Sequence, residues 1–340
     1  MNVSRKIRDQ ILLRTHQLAR FETGQARDLV KILDQAHTDI LGKIAATNGE
    51  WTKGWLQDML IDLRKTYGEA FGAMSDKLDQ SLEDLTGVET QWSAQNLIDS
   101  IPLKLSITTP SPEQVWAAVK TSPADRGHLL SELMDSYQAG TVDRITAAIR
   151  QGVVEGETSA QMVRRIRGTR AGGFKDGILQ TSRNAAQTLV STAVMHVSNT
   201  ARSQTYRDNA DILNGVQWVA TLDTLTCLEC ADLDGQTWDD PADATQPPVH
   251  FNCRCVLVAI VKSWKELGFD LEEVPAGTRA SMDGQVPETE TYSTWLKSQT
   301  ASVQDEALGP ARAAMFRDGT DIGRFVKDGR MLTLDDLASG

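Results

Sequence analysis

The chain has 340 residues, 40% of them hydrophobic, and a formal net charge of −11. That length allows two or three domains and a sizeable core, and the composition excludes a disordered chain. No run approaches the roughly eighteen apolar residues of a membrane-spanning helix, and the negative balance opposes nonspecific nucleic-acid binding by the molecule as a whole.

The first residues, MNVSRKIRDQILLRTHQ, lack the apolar core of a signal peptide, so a reducing compartment is expected. Residues 4–47 read as one long amphipathic helix. Ile7, Ile11, Leu18, Leu29, Ile32, Leu33, Ile40 and Ile44 recur near helical spacing, and Gly24 is a candidate kink or break. Asn48-Gly49 signals a turn. A second stripe follows in Trp55, Met59, Leu63, Tyr67, Ala70, Met74, Leu78 and Leu82. The two segments predict an antiparallel hairpin over residues 1–100 that serves as a docking region. Two helices alone bury two such stripes poorly, so some of these side chains are expected to face a partner.

Residues 101–136 read as a linker with short helices. IPLKLSITTPSP breaks the helical pattern, and Pro112 then opens a helix carrying Val115, Trp116 and Val119. Residues 137–340 read as the main domain. Val142, Ile145, Ile149 and Val153 fit one helix ended by Gly156, and Thr158 caps the next. The connection GTRAGGFKDG leads to a long helix from about Leu179 to Asp211. His196 on that helix is weighed as a catalyst against a packed histidine, and packing is favoured. GVQWVAT (215–221) alternates like a strand, and VLVAIV (256–261) reads as a buried one. The two are expected to be neighbours in a small sheet. The segment 291–337 gives short helices, pinned by Tyr292, Trp295, Phe316 and Phe325.

Charge is polarised along the chain. Residues 141–207 hold ten Arg or Lys against four Asp or Glu, whereas residues 208–249 hold nine acidic residues and no basic one. Such asymmetry suggests a defined partner surface. Arg164, Arg165, Arg167, Arg170, Lys175 and Arg183 are the candidate contacts for nucleic acid or another protein.

All four cysteines lie within residues 226–255, TCLECADLDGQTWDDPADATQPPVHFNCRC. A Cys-x-x-Cys knuckle, Cys227 and Cys230, precedes His250-x-x-Cys253-x-Cys255. This is the spacing of a structural zinc site, with five candidate ligands for four positions. Cys253 and Cys255 would face one side of an extended segment, so either completes the set. Two disulfides or free thiols are the alternatives, and a reducing compartment disfavours the former. A catalytic zinc would need an open position and a general base. Glu229 and Asp232 are near in sequence, but a thiolate-rich set favours a closed site. The acidic loop has little apolar material, so an ion would contribute several kcal/mol of local folding energy. The fold expected is α+β and mainly α: a long N-terminal helical hairpin, a helical middle, and a small C-terminal β-containing domain stapled by zinc.

The order of a basic helix, GVQWVATLDTLTCLECADLDG, PPVHFNCRC with its apolar strand, then TWLKSQTASVQDEALGPARAAMFRDG and GRMLTLDDL, resembles the tailed-phage minor head protein family, the Mu gpF-like head-morphogenesis proteins. The resemblance spans roughly residues 137–337. It implies a structural virion component present in few copies inside the capsid near the portal, and in the host cytoplasm during assembly. It implies association with the portal protein and a role in head assembly or genome delivery; the residues themselves add that the basic helices of 141–207 could touch packaged DNA or an acidic portal surface, and no membrane partner is expected. It also implies an ADP-ribosyltransferase-like fold without that activity, and it matches Cys227, Cys230, His250, Cys253 and Cys255 to a metal array. No catalytic residue is implied. Two enzymatic alternatives stand beside it. PPVHFN resembles an HNH-type nuclease site faintly, and Glu288-Thr-Glu290 supplies an acidic pair of the kind ADP-ribosyltransferases use.

Overall fold

The computed structural model describes residues 3–47, 51–270 and 277–339. Two long helices, α1 (Val3–Ala45) and α2 (Lys53–Ser100), form the expected antiparallel pair. At 1.5 Å per residue they run about 65 and 72 Å. The direction is fixed by contacts at both ends: Lys43 meets Asp62 at 2.6 Å, and Arg14 meets Glu89 at 2.5 Å. Gly24 does not divide α1, which continues through it. Thr52 caps α2 by accepting from the Trp55 N–H. The expected Asn48-Gly49 turn lies outside the described residues.

The two stripes do not need an outside partner. A third long helix, α6 (Ile178–Asp208), lies against both, and α3 (Pro112–Thr121), α4 (Leu130–Val154) and α5 (Ser159–Arg167) close the bundle. Leu29, Leu33, Leu63, Tyr67, Phe71, Leu82, Val115, Ile149, Val190 and Ala193 share one buried cluster. Each large side chain there contributes about 1.5–3 kcal/mol. Pro112 sits in the first turn of α3 and Thr158 caps α5 with a capping box, both as the sequence implied.

After α6 the chain enters a three-stranded antiparallel sheet in the order β2-β1-β3, where β1 is Leu213–Val219, β2 Thr237–Trp238 and β3 Val256–Val261. The two expected strands are neighbours, with Trp218 opposite Leu257 and Val219 opposite Val256. Gly215 has a φ of +117°, and a Cβ there would lie 2.0 Å from the Trp238 carbonyl oxygen. A side chain at that position would therefore prevent β2 from closing onto β1. The sheet packs on the start of α1: Ile7 and Ile11 share a second buried cluster with Trp218, Leu257, Cys230, Cys253 and Cys255.

The remainder forms the hairpin β4–β5 (Thr278–Ser281 and Gly284–Pro287), the helices α8 (Tyr292–Ser298), α9 (Ala301–Leu308) and α10 (Pro310–Arg317), the short pair β6–β7 (Val326–Lys327 and Arg330–Met331) and α11 (Leu334–Ser339). Tyr292, Trp295, Phe316 and Phe325 are buried together with Leu222 and Leu228 of the cysteine-bearing segment, as expected. The protein is α+β and mainly α.

Candidate metal centre

The segment between β1 and β3 has more structure than its composition suggests. A one-and-a-half-turn helix, α7 (Leu228–Leu233), follows Cys227 directly. Cys227 caps it: its Sγ accepts from the Cys230 N–H at 3.4 Å, which folds the knuckle so that both sulfurs share one side. The second half turns at Asn252, whose φ of +57° is tolerated by asparagine better than by most residues. The Cys253 N–H donates to the His250 carbonyl at 3.2 Å, which brings Cys253 in beside His250.

The five expected donors converge. His250 Nε2 lies 3.0 Å from Cys227 Sγ and 3.1 Å from Cys230 Sγ, and Cys230 Sγ lies 3.7 Å from Cys253 Sγ. Cys227, Cys230 and His250 form one group of donors within 4.8 Å of one another, and Cys230, Cys253 and Cys255 form a second. All four cysteines are free. For a metal–sulfur bond of about 2.3 Å, the edge of a tetrahedron is about 3.8 Å, which fits the sulfur pair. A mixed sulfur–nitrogen edge would be roughly 3.5 Å, so an ion would spread the His250 contacts by about half an ångström. His250 Nδ1 bonds the Phe251 carbonyl oxygen at 2.8 Å; as the donor, it leaves Nε2 directed at the thiols, the tautomer a ligating imidazole needs. Cys230, Cys253 and Cys255 are buried, while Cys227 and His250 are half-buried. Residues of this type in this arrangement can hold a metal ion.

The electrostatics reflect crowding. Hydrogen bonds from Cys230 and His250 bring the Cys227 thiol down to about 4, and its bonds to Cys227 and Cys253 raise His250 to about 11. Cys230 is pushed up by its neighbouring thiols and by burial. The cluster thus favours a positive charge at its centre.

Contacts from far along the chain position this segment. Asp234 is buried and accepts from both nitrogens of Arg279, at 3.0 and 3.1 Å, from the Ala220 N–H at 2.7 Å and from the Tyr292 N–H at 2.7 Å. Arg279 also donates to the carbonyls of Ala220 and Glu290. Arg254 forms a bidentate pair with Asp223 at 2.6 and 2.9 Å. On the inner side, Thr192 of α6 accepts from the Asn252 N–H at 3.2 Å, and Asn199 donates to the Cys255 carbonyl at 3.5 Å. Asn199 is in turn oriented by Arg202, which donates to its Oδ1 at 2.6 Å and to Ser198 at 3.0 Å; Ser198 donates to the buried Glu89 of α2 at 2.7 Å. Sequence reading missed Asp234, Arg279, Asn199 and Arg202. Their only signal is charge or polarity at positions whose burial is set by distant segments.

The other candidates have structural partners. His196 is buried and its Nε2 contacts the Val119 carbonyl at 3.0 Å. Glu288 accepts from the Gly277 N–H at 2.7 Å and pairs with Arg8 at 3.3 Å. Glu229 pairs with Arg126 at 3.0 Å, and burial raises the Asp232 carboxyl. Of the basic residues, Arg165 is paired with Glu155 and Glu157, and Arg183 with Asp34 at 2.9 Å. Arg164, Arg167, Arg170 and Lys175 are exposed, and among the described residues none of the four is in an ion pair.

Fold and site together define a mainly helical protein whose small sheet carries four thiols and an imidazole able to hold a metal ion. Residues 143–258 match the family described as Phage Mu protein F like protein, which runs from the middle of α4 into β3 and includes every donor of the cluster. The resemblance to the phage head-morphogenesis family seen in the sequence therefore holds for this segment. No curated protein and no solved structure matches the chain.

Proposed function

We propose that the protein is a structural minor head component of a tailed phage that associates with the portal and acts in head assembly or genome delivery. The observation that carries this reading is the family match over residues 143–258. The protein would sit inside the capsid near the portal, after assembly in the host cytoplasm. The ion held by Cys227, Cys230, His250 and Cys253 or Cys255 would be zinc, in a structural role. Thiolate and imidazole donors suit that metal, and binding would release protons from the thiols. What a bound ion supplies is a cross-link between α7 and the turn before β3. The residues themselves position the donors, tie the loop to α6 and keep bulk water from three of the four sulfurs.

An enzymatic role finds little support in the geometry. His250 directs Nε2 at thiols rather than at a cleft, which removes the base an HNH-type nuclease requires. Glu288 is held by Arg8 and the Gly277 amide, so it does not form a free acidic pair with Glu290. In this reading the helices of residues 1–100 dock on the assembly with their outer faces, since their inner faces are occupied by α6.

Co-expression of the protein with the portal protein of the same phage tests the reading. A stable complex, together with about one equivalent of zinc per chain, is expected. Full-length, folded protein that never co-purifies with the portal would overturn the assembly role, and folded protein free of metal would overturn the zinc assignment.

A further inference from the structure

The connection between α5 and α6 is built differently from an ordinary flexible loop. Thr169 and Asp176 clasp its two ends: Asp176 accepts from the Thr169 N–H at 2.8 Å and from its hydroxyl at 2.6 Å. Inside the clasp, the Gly172 N–H donates to the Thr169 hydroxyl at 3.0 Å and the Phe174 N–H to the Thr169 carbonyl at 2.8 Å. Those bonds engage both carboxylate oxygens of the loop's only acid and hold Asp176 below the usual carboxylate range, so it stays ionised, one negative charge among four cations. Arg167 stacks on Phe174 with its guanidinium carbon 4.4 Å from the ring centroid. What remains facing solvent is Arg164, Arg167, Arg170 and Lys175, four cations with no carboxylate ion pair among the described residues, on a closed knot.

Cations on a surface usually find acids nearby, and this chain is rich in them, with 46 Asp and Glu against 35 Lys and Arg. Here the neighbouring acids are already taken. Glu155 and Glu157 pair with Arg165, and Asp34 with Arg183. The knot also lacks an anchor for a protein partner: its one large apolar side chain, Phe174, is half-buried beneath Arg167, and protein interfaces depend on buried aromatic or aliphatic anchors. A phosphate backbone requires no such anchor, only cations and donors at a surface that can approach it closely, and three glycines keep this one slim.

We propose that the knot of residues 164–176 binds the phosphate backbone of nucleic acid, without sequence preference, through Arg164, Arg167, Arg170 and Lys175. This deepens the reading of residues 141–207 as a nucleic-acid contact and rests on it; the metal cluster plays no part. Arg165 and Arg183 are excluded because each already neutralises an acid. The contact is weak and local, since the rest of the molecule repels a polyanion, and it matters where DNA is already concentrated.

The test measures binding of the full-length, metal-loaded protein to duplex DNA of mixed sequence at several salt concentrations. With three or four phosphates neutralised, the slope of log affinity against log salt should be about −3. Replacing the four cations together with alanine should lower affinity at least tenfold at low salt and flatten the slope, while Arg183→Ala should leave both unchanged. Circular dichroism and zinc content of each variant check that the fold and the cluster are intact. The proposal is overturned if the wild-type protein does not bind DNA at low salt, if the fourfold variant binds as well as the wild type, or if the same four residues are needed for an acidic protein partner and not for DNA. Portal co-purification scored on the same variants separates the two readings: DNA binding lost with the portal complex intact supports this contact, whereas a lost portal complex with DNA binding unchanged overturns it and assigns the four cations to the docking role.

Discussion

The acidic segment 226–255 and the basic knot 164–176 meet the same difficulty in opposite ways. Each is a polar stretch with too little apolar surface to fold by burial. The knot is closed from within, by Thr169 and Asp176 seven residues apart. The acidic segment is closed from outside: its anchors come from α6, from β4 and from the first turn of α8, and its centre is a cluster of donors suited to an ion. A short loop loses little entropy on closure and can be fixed by one carboxylate. A thirty-residue loop carrying many like charges cannot, and arginines from other segments pair with Glu229 and Asp234 within it.

That comparison can be broken most decisively at Arg279. Arg279→Ala leaves the buried Asp234 carboxylate without its cation, and a cost of about 3–5 kcal/mol is expected, measured as the shift in urea unfolding. A loss below 1 kcal/mol would mean that the thiol cluster alone organises the segment. Removing with a chelator the zinc proposed for the cluster comes next. It should cost several kcal/mol and lower the melting temperature of the sheet and C-terminal helices, while most far-ultraviolet helical signal from α1, α2 and α6 persists. Collapse of the whole spectrum would show that the bundle depends on the ion, contrary to its separate core.

A smaller effect is expected inside α6. Asn199→Ala removes the acceptor for a donor of the fully buried Arg202 and the donor to the Cys255 carbonyl, at about 1–3 kcal/mol. Zinc affinity should fall with it, and an unchanged affinity would show that α6 does not position the last cysteines. In the knot, Thr169→Ala should leave the global unfolding midpoint in place while tryptic cleavage after Arg170 rises several-fold. A global loss of stability would place the knot in the core instead. Smallest is the pH response. The Asp176 carboxyl is depressed by its bonds to Thr169, so its contribution is present above the unfolded value near 4 and is lost as pH falls through the lower folded value. The Thr169 amide resonance should report that loss alone, and a clasp that opens on raising the pH would have the sign reversed.

Much of the plan was visible in order along the chain. Helical spacing of Ile7, Ile11 and Leu18, and of Leu63, Tyr67 and Met74, marked α1 and α2, because a 3.6-residue period records one buried face. Thr158 and Pro112 marked helix starts, since capping is a local matter. The cysteine spacing brought all five donors to one place before any tertiary contact was known. Three things were not legible. The hairpin's stripes looked underburied because their third partner, α6, lies some eighty residues beyond the end of α2 and reads as only weakly amphipathic. The helix α7 and strand β2 were hidden in an acidic loop because a cysteine sulfur acts as the cap and a glycine carries the bulge. The arginine tally in residues 141–207 concealed that Arg165 and Arg183 neutralise nearby acids.

By itself, then, the amino-acid order determined most of the long helices and their caps, the mainly helical class, the presence of two apolar strands and the identity of the candidate metal donors, which rest on local periodicity, capping and spacing. Tertiary structure alone decided which charges are spent and which are free. Asp234 meeting Arg279, Glu89 meeting Arg14 and Ser198, and Glu288 meeting Arg8 depend on segments tens to hundreds of residues apart. Electrostatic pairing acts through distance in space, and only the folded chain sets that distance.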